Sequence, residues 1–263
     1  MVSSFQLLLK PKILVMKKIY VVLPAYNEEE SLGSLLSKIK LSMEDERIEK
    51  YEVILVNDGS TDKTREIGEN FSKIMPVTLI NHTVNQGLGN TIRDGLIEVA
   101  NLSGNDDIII TMDADDTHTP GLILKMIRMI KEGHDVVIAS RYQPNSRVVG
   151  LVWYRKVLSY FASLIFRIFM PIRGVKDFTC GFRAYKASVL KKAIAMFGNS
   201  FIDQEGFQVM VDILLKLRKM HLIFGEVPFI LRYDLKKGHS KMNLKKTIWN
   251  TLRLIAIRKF ANA

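Results

Sequence analysis

The chain has 263 residues, 48% of which are hydrophobic, with one cysteine and a formal net charge of +11 at pH 7. This length is sufficient for one substantial core at the upper end of the single-domain range. The single cysteine, Cys180, excludes a disulfide framework and a cysteine-based zinc cluster, and it fits a reducing compartment. No apolar run approaches the roughly 20 residues that a membrane span requires, so we expect no transmembrane segment.

The excess of positive charge indicates an anionic partner. Acidic residues are frequent between positions 24 and 62, whereas lysines and arginines accumulate later in the chain. The sequence has no zinc-finger spacing and no RNP-type aromatic motif, so we expect no nucleic acid partner. A membrane surface and phosphate-bearing substrates explain the charge better.

The first half of the chain alternates between short apolar runs and segments with helical periodicity. The predicted strands are residues 19–23, 51–56, 77–80, 107–112 and 135–140. The predicted helices between them are residues 29–43, a segment from 61 or 62 to 71, 89–100 and 120–131. This alternation predicts an α/β fold with a mostly parallel central sheet flanked by helices.

The second half of the chain has a different pattern. Its predicted elements are an apolar segment with basic residues at 154–170, a loop or strand at 175–185, helices at 188–196 and 204–220, an extended segment at 222–232 and a basic helix at 244–261. We therefore divide the chain into an N-terminal extension (1–16), one α/β domain (17–243) and a C-terminal basic amphipathic helix (244–263).

Two of these segments, 154–170 and 244–261, place lysine or arginine beside Phe, Leu, Ile or Trp. Amphipathic helices that lie at a membrane surface have this composition. The two segments therefore predict amphipathic helices in peripheral contact with a membrane. A core helix is the alternative for the first of them.

Polar residues follow three of the predicted strands. Pro24-Ala-Tyr-Asn-Glu28 follows the first strand, Asp58-Gly-Ser-Thr-Asp62 the second, and Asp113-Ala-Asp-Asp116 the fourth. Ligands of open α/β sheets bind beyond the carboxyl ends of the strands. Acids that converge there repel one another unless a cation or ligand donors offset the repulsion. The sequence thus predicts a ligand-binding crevice at this edge.

Within that crevice, Asp113 and Asp115 lie two residues apart, and residues two apart in an extended segment face the same way. Two carboxylates can share one Mg²⁺ or Mn²⁺ ion, which usually also binds substrate phosphates. Asp58 can accept a hydrogen bond from a nucleobase, and Tyr26 can stack on the base. An aspartate-rich surface turn is the alternative for the first pair, and a turn or capping aspartate is the alternative for Asp58.

Together these motifs resemble family 2 glycosyltransferases of the GT-A fold. More narrowly, they are similar to the branch of dolichyl-phosphate mannose synthases and polyprenyl-phosphate glycosyltransferases. The matching segments run in family order over nearly the whole chain: Pro24 to Glu28, Asn57 to Asp62, Asn85-Gln-Gly-Leu-Gly89, Asp113-Ala-Asp115, Ser140-Arg-Tyr142, Asp177 through Gly181-Phe-Arg-Ala184, Gly225-Glu-Val-Pro228 and Gly238-His-Ser-Lys241.

The resemblance implies roles for individual residues. The nucleotide-sugar donor would contact Pro24, Tyr26, Glu28, Val56, Asp58, Asp113, Ala114 and Arg141. The metal ligands would be Asp113, Asp115 and Thr117, although the branch often has Gln at the last position. Arg155 and Ser159, four residues apart on one helix face, would bind the acceptor phosphate. The residues expected to act in catalysis are Asp115, Arg141, Arg232 and Lys241, and Lys237 is a further candidate for the diphosphate.

The resemblance also implies a metal-dependent, inverting transfer of a hexose from GDP-mannose or a UDP-sugar to a polyprenyl or dolichyl phosphate. A phosphate acceptor is already anionic and needs no strong base, and the sequence shows no obvious histidine–carboxylate pair in the crevice. We expect the protein at the cytoplasmic face of a membrane, bound directly or through a membrane subunit.

Two alternatives remain open on the sequence. A family 2 transferase could act on a glycan or other hydroxyl acceptor, with Asp203 or Glu205 as the base. The chain could instead be a non-catalytic nucleotide-sugar-binding subunit. A nucleotidyltransferase is disfavoured because such enzymes normally carry a glycine-rich basic loop after the first strand, where this chain has Pro24 to Glu28.

Overall fold

The computed structural model describes residues 17–237 together with Asn250, Arg253 and Leu254. These last three residues are helical, and Leu254 is buried. The predicted N-terminal extension, Lys241 and most of the predicted C-terminal helix lie outside the described residues, so the division of the chain stays a prediction.

A seven-stranded sheet forms the centre of the molecule, with the strand order β3-β2-β1-β4-β7-β5-β8. β7 runs antiparallel to β4 and β5, and the other pairs are parallel. The strands are β1 (Ile19–Ala25), β2 (Tyr51–Asn57), β3 (Val77–Asn81), β4 (Ile108–Thr111), β5 (Val136–Ser140), β7 (Arg183–Lys186) and β8 (Phe224–Pro228), and a separate parallel pair is β6 (Arg147–Val149) with β9 (Ile230–Arg232). The predicted α/β fold with a mostly parallel central sheet is confirmed.

The helices connect these strands. They are α1 (Leu32–Asp45), α2 (Thr64–Phe71), α3 (Leu88–Leu102), α4 (Leu122–Lys131), α5 (Trp153–Phe169), α6 (Ala187–Phe197) and α7 (Val209–Leu217). The helix predicted at 204–220 begins only at Val209, because a turn at Gly206 precedes it. The extended segment 222–232 is two strands, since Pro228 has no N–H with which to continue the ladder to β5. No pattern of residues indicates the short strand β6.

The core follows from the apolar runs. Ile108, Ile109 and Ile110 of β4 are fully buried, as expected for a strand covered by helices on both faces. α4 buries one stripe with helical spacing, formed by Ile123, Met126, Ile127 and Ile130. This packing fixes the carboxyl ends of β1, β2 and β4 side by side.

Helix α5 packs differently. Only Ser163 and Phe166 of its 17 residues are buried. Trp153 is 76% exposed, Phe161 56% and Ile168 64%. The core-helix alternative for segment 154–170 is therefore wrong. No helix in the described ranges is long and apolar enough to cross a membrane.

Gly89, in the first turn of α3, lies against the chain at Gln204 and Glu205. Its N–H donates to the Glu205 carbonyl oxygen at 2.9 Å, and a Cβ at this position would clash with the Gln204 carbonyl. The second glycine of the Asn85-to-Gly89 motif thus permits two backbone segments to touch.

We predict that Gly89→Ala destabilises the protein by about 2 kcal/mol, because backbone atoms cannot move aside cheaply. Urea unfolding would measure the change. Gly121→Ala is the control, since a Cβ there meets no atom within 4 Å. Equal stability of the two variants would show that this close approach is not required.

Candidate active site

A cleft of about 440 Å³ opens beyond the carboxyl ends of β1, β2 and β4. Most of the sequence-predicted donor and metal residues line it together: Pro24, Tyr26, Glu28, Asp58, Asp113, Ala114, Asp115, Thr117 and Arg141. Val56 does not line the cleft, because its side chain is fully buried in β2. The strand-end crevice anticipated from the sequence is therefore present.

Asp115 is the more buried of the two aspartates proposed for the metal, and donors surround it. Thr117 Oγ1 donates to Asp115 Oδ1 at 2.7 Å, and Lys236 Nζ lies 2.6 Å from Asp115 Oδ2. Burial favours a raised pKa for Asp115, but Lys236, then His118 and Thr117, outweigh it, so the pKa is lowered. Asp115 is thus held ionised at the edge of the cleft.

Asp113 has the opposite electrostatic setting. Burial raises the pKa of its carboxyl group, His118 opposes this rise, and repulsion from Asp115 adds to it. A Cβ on Gly181 would lie 3.0 Å from Asp113 Oδ1, so glycine leaves space beside this carboxylate. The pair of acids is strained electrostatically, and a cation between them would relieve the strain.

His118 forms a pair with Asp113, which corrects the expectation that the crevice has no histidine–carboxylate pair. The Asp113 N–H donates to His118 Nδ1 at 3.1 Å, and this assigns the ring proton to Nε2, which lies 3.6 Å from Asp113 Oδ2. The ring is buried and stacks on Phe182 with centroids 5.1 Å apart. Its place five residues after Asp113 was the one signal in the sequence.

The two aspartates suit a divalent cation whose coordination shell is completed by a substrate. In the described part of the chain, no group of three or more His, Cys, Asp or Glu side chains converges to hold a metal. Mg²⁺, however, is commonly bound by one or two carboxylates together with substrate phosphates and water. Asp113 and Asp115 suit that arrangement. Because Thr117 donates its hydroxyl proton to Asp115, its role as a direct ligand stays a prediction.

Asp58 organises the loop that precedes α3. Its Oδ1 accepts the Gln86 N–H at 2.8 Å, its Oδ2 accepts the Gly87 N–H at 2.9 Å, and His82 Nδ1 lies 2.8 Å from Oδ1. Gly87 has φ 86°, a conformation that favours glycine. These bonds explain the Asn85-to-Gly89 motif as a loop anchored on Asp58. Contact between Asp58 and a nucleobase stays a prediction.

Arg141 lines the cleft, and Asp177 holds it in place. Arg141 Nε and Nη2 each lie 2.7 Å from one Asp177 oxygen, a bidentate pair, and Nη2 also donates to Thr179 Oγ1. The Asp177 side chain has no exposed surface. Burial favours a raised pKa for Asp177, but Arg141 outweighs it and lowers the pKa. Arg141 can therefore face donor phosphates only with a guanidinium already bound to an acid.

Arg232 does not line the cleft. Its Nη2 lies 2.8 Å from Asp234 Oδ2 in an exposed ion pair, whereas Leu231 and Tyr233 line the cleft. Alternate residues of a strand face opposite sides, so Arg232 points away when its neighbours point in. The basic side chain that this segment brings into the cleft is that of Lys236, which sequence reasoning missed.

Arg155 and Ser159 lie on α5 beside the cleft. Arg155 Nη1 donates to the Tyr233 hydroxyl at 3.2 Å, and Ser159 Oγ lies 2.9 Å from the Tyr142 hydroxyl. Tyr233 itself lines the cleft. Arg155 Nε is buried without a hydrogen-bond partner among the described residues. Arg155 therefore adjoins the donor cleft through Tyr233, whereas Ser159 bonds Tyr142, which does not line the cleft.

We predict that Asp177→Asn lowers the free energy of unfolding by roughly 3 kcal/mol, because it leaves the Arg141 guanidinium, which is only 16% exposed, without its carboxylate partner. Glu69→Gln, in the exposed Arg65–Glu69 pair, is the control and should change stability by less than about 0.5 kcal/mol.

The pH dependence gives the same prediction a second test. The fold lowers the pKa of Asp177, so its stabilisation is present above the unfolded pKa of about 3.9 and is lost as the pH falls through the folded value. Chemical unfolding at several pH values should show a weaker loss of stability in acid for Asp177→Asn. Identical acid profiles for variant and wild type would contradict the assignment.

Comparison with known proteins agrees with this geometry. The family model described as "Glycosyl transferase family 2" matches residues 20–194. The chain is 34% identical over 239 residues to a dolichol-phosphate mannosyltransferase of Pyrococcus furiosus, covering 90% of this chain and 62% of that protein. It is 28% identical over 232 residues to a polyprenol monophosphomannose synthase of Mycolicibacterium smegmatis, covering 85% of this chain and 80% of that protein.

The fold is similar to that of a glucosyl-3-phosphoglycerate synthase from Mycobacterium tuberculosis, crystallised with Mn²⁺, UDP and phosphoglyceric acid. The TM-score is 0.62 at 19% identity, over 91% of this chain and 76% of that one. The resemblance inferred from the motifs is confirmed, and the chain belongs to glycosyl transferase family 2.

Proposed function

We propose that this chain transfers a hexose from a nucleotide-diphosphate sugar to a polyprenyl or dolichyl phosphate. The observation that carries the proposal is the meeting of two sites at one cleft. The Asp113–Asp115 edge lies at the strand ends, and Arg155 reaches the same cleft through Tyr233. The names of the two relatives, a dolichol-phosphate mannosyltransferase and a polyprenol monophosphomannose synthase, support a lipid phosphate acceptor and favour mannose.

The donor would lie along the floor of the cleft. Tyr26 and Asp58 would receive the nucleoside, and Arg141 would face the phosphates. Asp113 and Asp115 would hold Mg²⁺ or Mn²⁺, which when bound neutralises the diphosphate and so favours its departure. The Mn²⁺ and UDP in the solved structure of similar fold support this use of the cleft. GDP-mannose and UDP-sugars both suit the lining residues.

The acceptor phosphate would lie between Arg155 and Ser159. It attacks the anomeric carbon in one step, which inverts the configuration, and it needs no base because it is already anionic. Catalysis then rests on positioning and on stabilisation of the leaving diphosphate. Lys241, outside the described residues, stays a predicted partner of that diphosphate, whereas the position of Arg232 gives it no support in this role.

A hydroxyl acceptor is the weaker alternative. Asp203 bonds Lys216 at 3.1 Å; burial favours a raised pKa, but Gln204 and Lys216 outweigh it and bring the pKa to about 2, which is too low for an effective base near neutral pH. Neither Asp203 nor Glu205 lines the cleft. A non-catalytic nucleotide-sugar-binding subunit would bind the donor but show no transfer.

The exposed face of α5 suits a protein whose acceptor is a membrane lipid. Trp153, Phe161 and Ile168 form an apolar surface, and Lys156, exposed on the same helix, adds a positive charge. Such a surface can enter the interface of an anionic membrane while Arg155 and Ser159 stay next to the cleft. We therefore propose that the protein acts at the cytoplasmic face of a membrane, bound directly or through a membrane subunit.

Asp115→Asn should lower the rate of mannosyl or glucosyl transfer to polyprenyl phosphate by on the order of 10²–10³-fold. The variant loses the negative charge that would hold the cation, and the cation is what neutralises the diphosphate. Transfer of radiolabelled sugar from GDP-mannose and UDP-glucose with Mn²⁺ would measure it. Asp106→Asn, at an exposed aspartate before β4, is the control. Near-normal, metal-dependent turnover by the Asp115 variant would contradict the proposal.

Wild-type protein should float with liposomes that contain anionic lipid. A Trp153→Ser/Phe161→Ser variant should bind liposomes about tenfold or more weakly, because it lacks two large apolar side chains that would otherwise transfer from water into the membrane. Ile74→Ser removes an equally exposed apolar residue on another face and should bind as wild type does. Equal flotation of both variants would exclude α5 as the membrane-binding surface.

A further inference from the structure

Among the described residues 230–237, Lys236 is the one whose charge lies inside the cleft. It follows a short 3-10 turn, Tyr233–Leu235, and its Nζ lies 2.6 Å from Asp115 Oδ2 with only 15% of the side chain exposed. The contact joins residues 121 positions apart. Lys237, the next residue, is exposed and does not line the cleft. The sequence motifs assigned no role to Lys236.

The charges that line the cleft are unbalanced without this lysine. The acids are Glu28, Asp58, Asp113 and Asp115, and the side chains with permanent positive charge among the described lining residues are Arg141 and Lys236. Arg141 is already paired with Asp177. Among the described lining residues, Lys236 is therefore the permanent cation that offsets the carboxylates at the metal edge. It contacts Asp115 through the oxygen that Thr117 leaves unoccupied.

A divalent cation shared by Asp113 and Asp115 would compete with this contact. It needs carboxylate lone pairs at the position where the ammonium group now lies, and it repels that group. Lysine has a flexible stem with three donors, so Nζ can leave Asp115 and still remain in the cleft. A diphosphate is the anion that such a displaced ammonium group would then meet.

We propose that Lys236 is an internal counter-cation that makes metal and diphosphate binding mutually dependent. Without donor, it occupies Asp115 and weakens metal binding. When a metal-bound diphosphate enters, the Lys236 ammonium group moves from the Asp115 carboxylate to the phosphates and strengthens donor binding. The same lysine therefore opposes one ligand alone and favours the two together, which is a coupling free energy between sites. This inference rests on the proposed function, because it takes a nucleotide diphosphate as the ligand.

The test measures binding rather than turnover. Mn²⁺ affinity is determined by electron paramagnetic resonance of the free ion, without nucleotide and with saturating GDP or UDP, and nucleotide affinity is determined by calorimetry. For Lys236→Met we expect Mn²⁺ alone to bind tighter by on the order of tenfold and nucleotide diphosphate to bind weaker by a similar factor. Lys219→Met, at an exposed lysine outside the cleft, should leave both affinities unchanged, and Lys236→Arg should keep most of the coupling.

The outcomes separate this inference from the proposed function. If the wild type binds Mn²⁺ with a nucleotide diphosphate but Lys236→Met shows weaker Mn²⁺ binding without nucleotide, Lys236 only orders Asp115 and the inference is overturned. Unchanged affinities in Lys236→Met overturn it as well. If the folded wild type binds neither nucleotide at any Mn²⁺ concentration, the proposed function fails and the inference falls with it.

Discussion

Carboxylates at the ends of parallel strands must be matched by donors or cations, and this constraint organises the whole cleft. Each acid is matched by a different set of donors. Asp58 accepts two backbone N–H groups, Asp177 accepts the Arg141 guanidinium, and Asp115 accepts Thr117 and Lys236. Among the described residues that line the cleft, Asp113 and Asp115 combine neighbouring carboxylates with a charge partner on a flexible stem. That edge is therefore the part of the cleft best suited to exchange its internal cation for an external one.

The backbone supports the same edge. Asp116, directly after the two predicted metal ligands, has φ 60°, a conformation that aspartate tolerates better than most residues. Ser34 Oγ donates to Asp116 Oδ2 at 2.8 Å, and Lys38 Nζ lies 2.5 Å from the same oxygen. The third acid of the turn thus ties it to α1. This contact turns the chain at Asp116 and leaves Asp113 and Asp115 facing the cleft.

Sequence reasoning succeeded where the signal was local. The apolar runs located β1 to β5 to within a few residues, and the spacing of Asp113 and Asp115 indicated one common face. It failed where the deciding contact joins distant segments. Arg141 and Asp177 lie 36 positions apart, and Asp115 and Lys236 lie 121 positions apart. No local pattern therefore indicates that either pair forms. Arg232 was chosen over Lys236 because the resembling branch carries an arginine shortly before Gly-x-Ser-Lys, and the face of a three-residue strand cannot be read from sequence.

The most direct measurement is a crystal structure of the protein grown with Mn²⁺ and a nucleotide diphosphate, with the metal located by its anomalous scattering. We expect one Mn²⁺ ion between the carboxylates of Asp113 and Asp115, bridged to the diphosphate, with Lys236 Nζ moved from Asp115 to a phosphate oxygen. A diphosphate bound in the cleft with Mn²⁺ away from both aspartates, or with Lys236 still on Asp115 beside the metal, would contradict it.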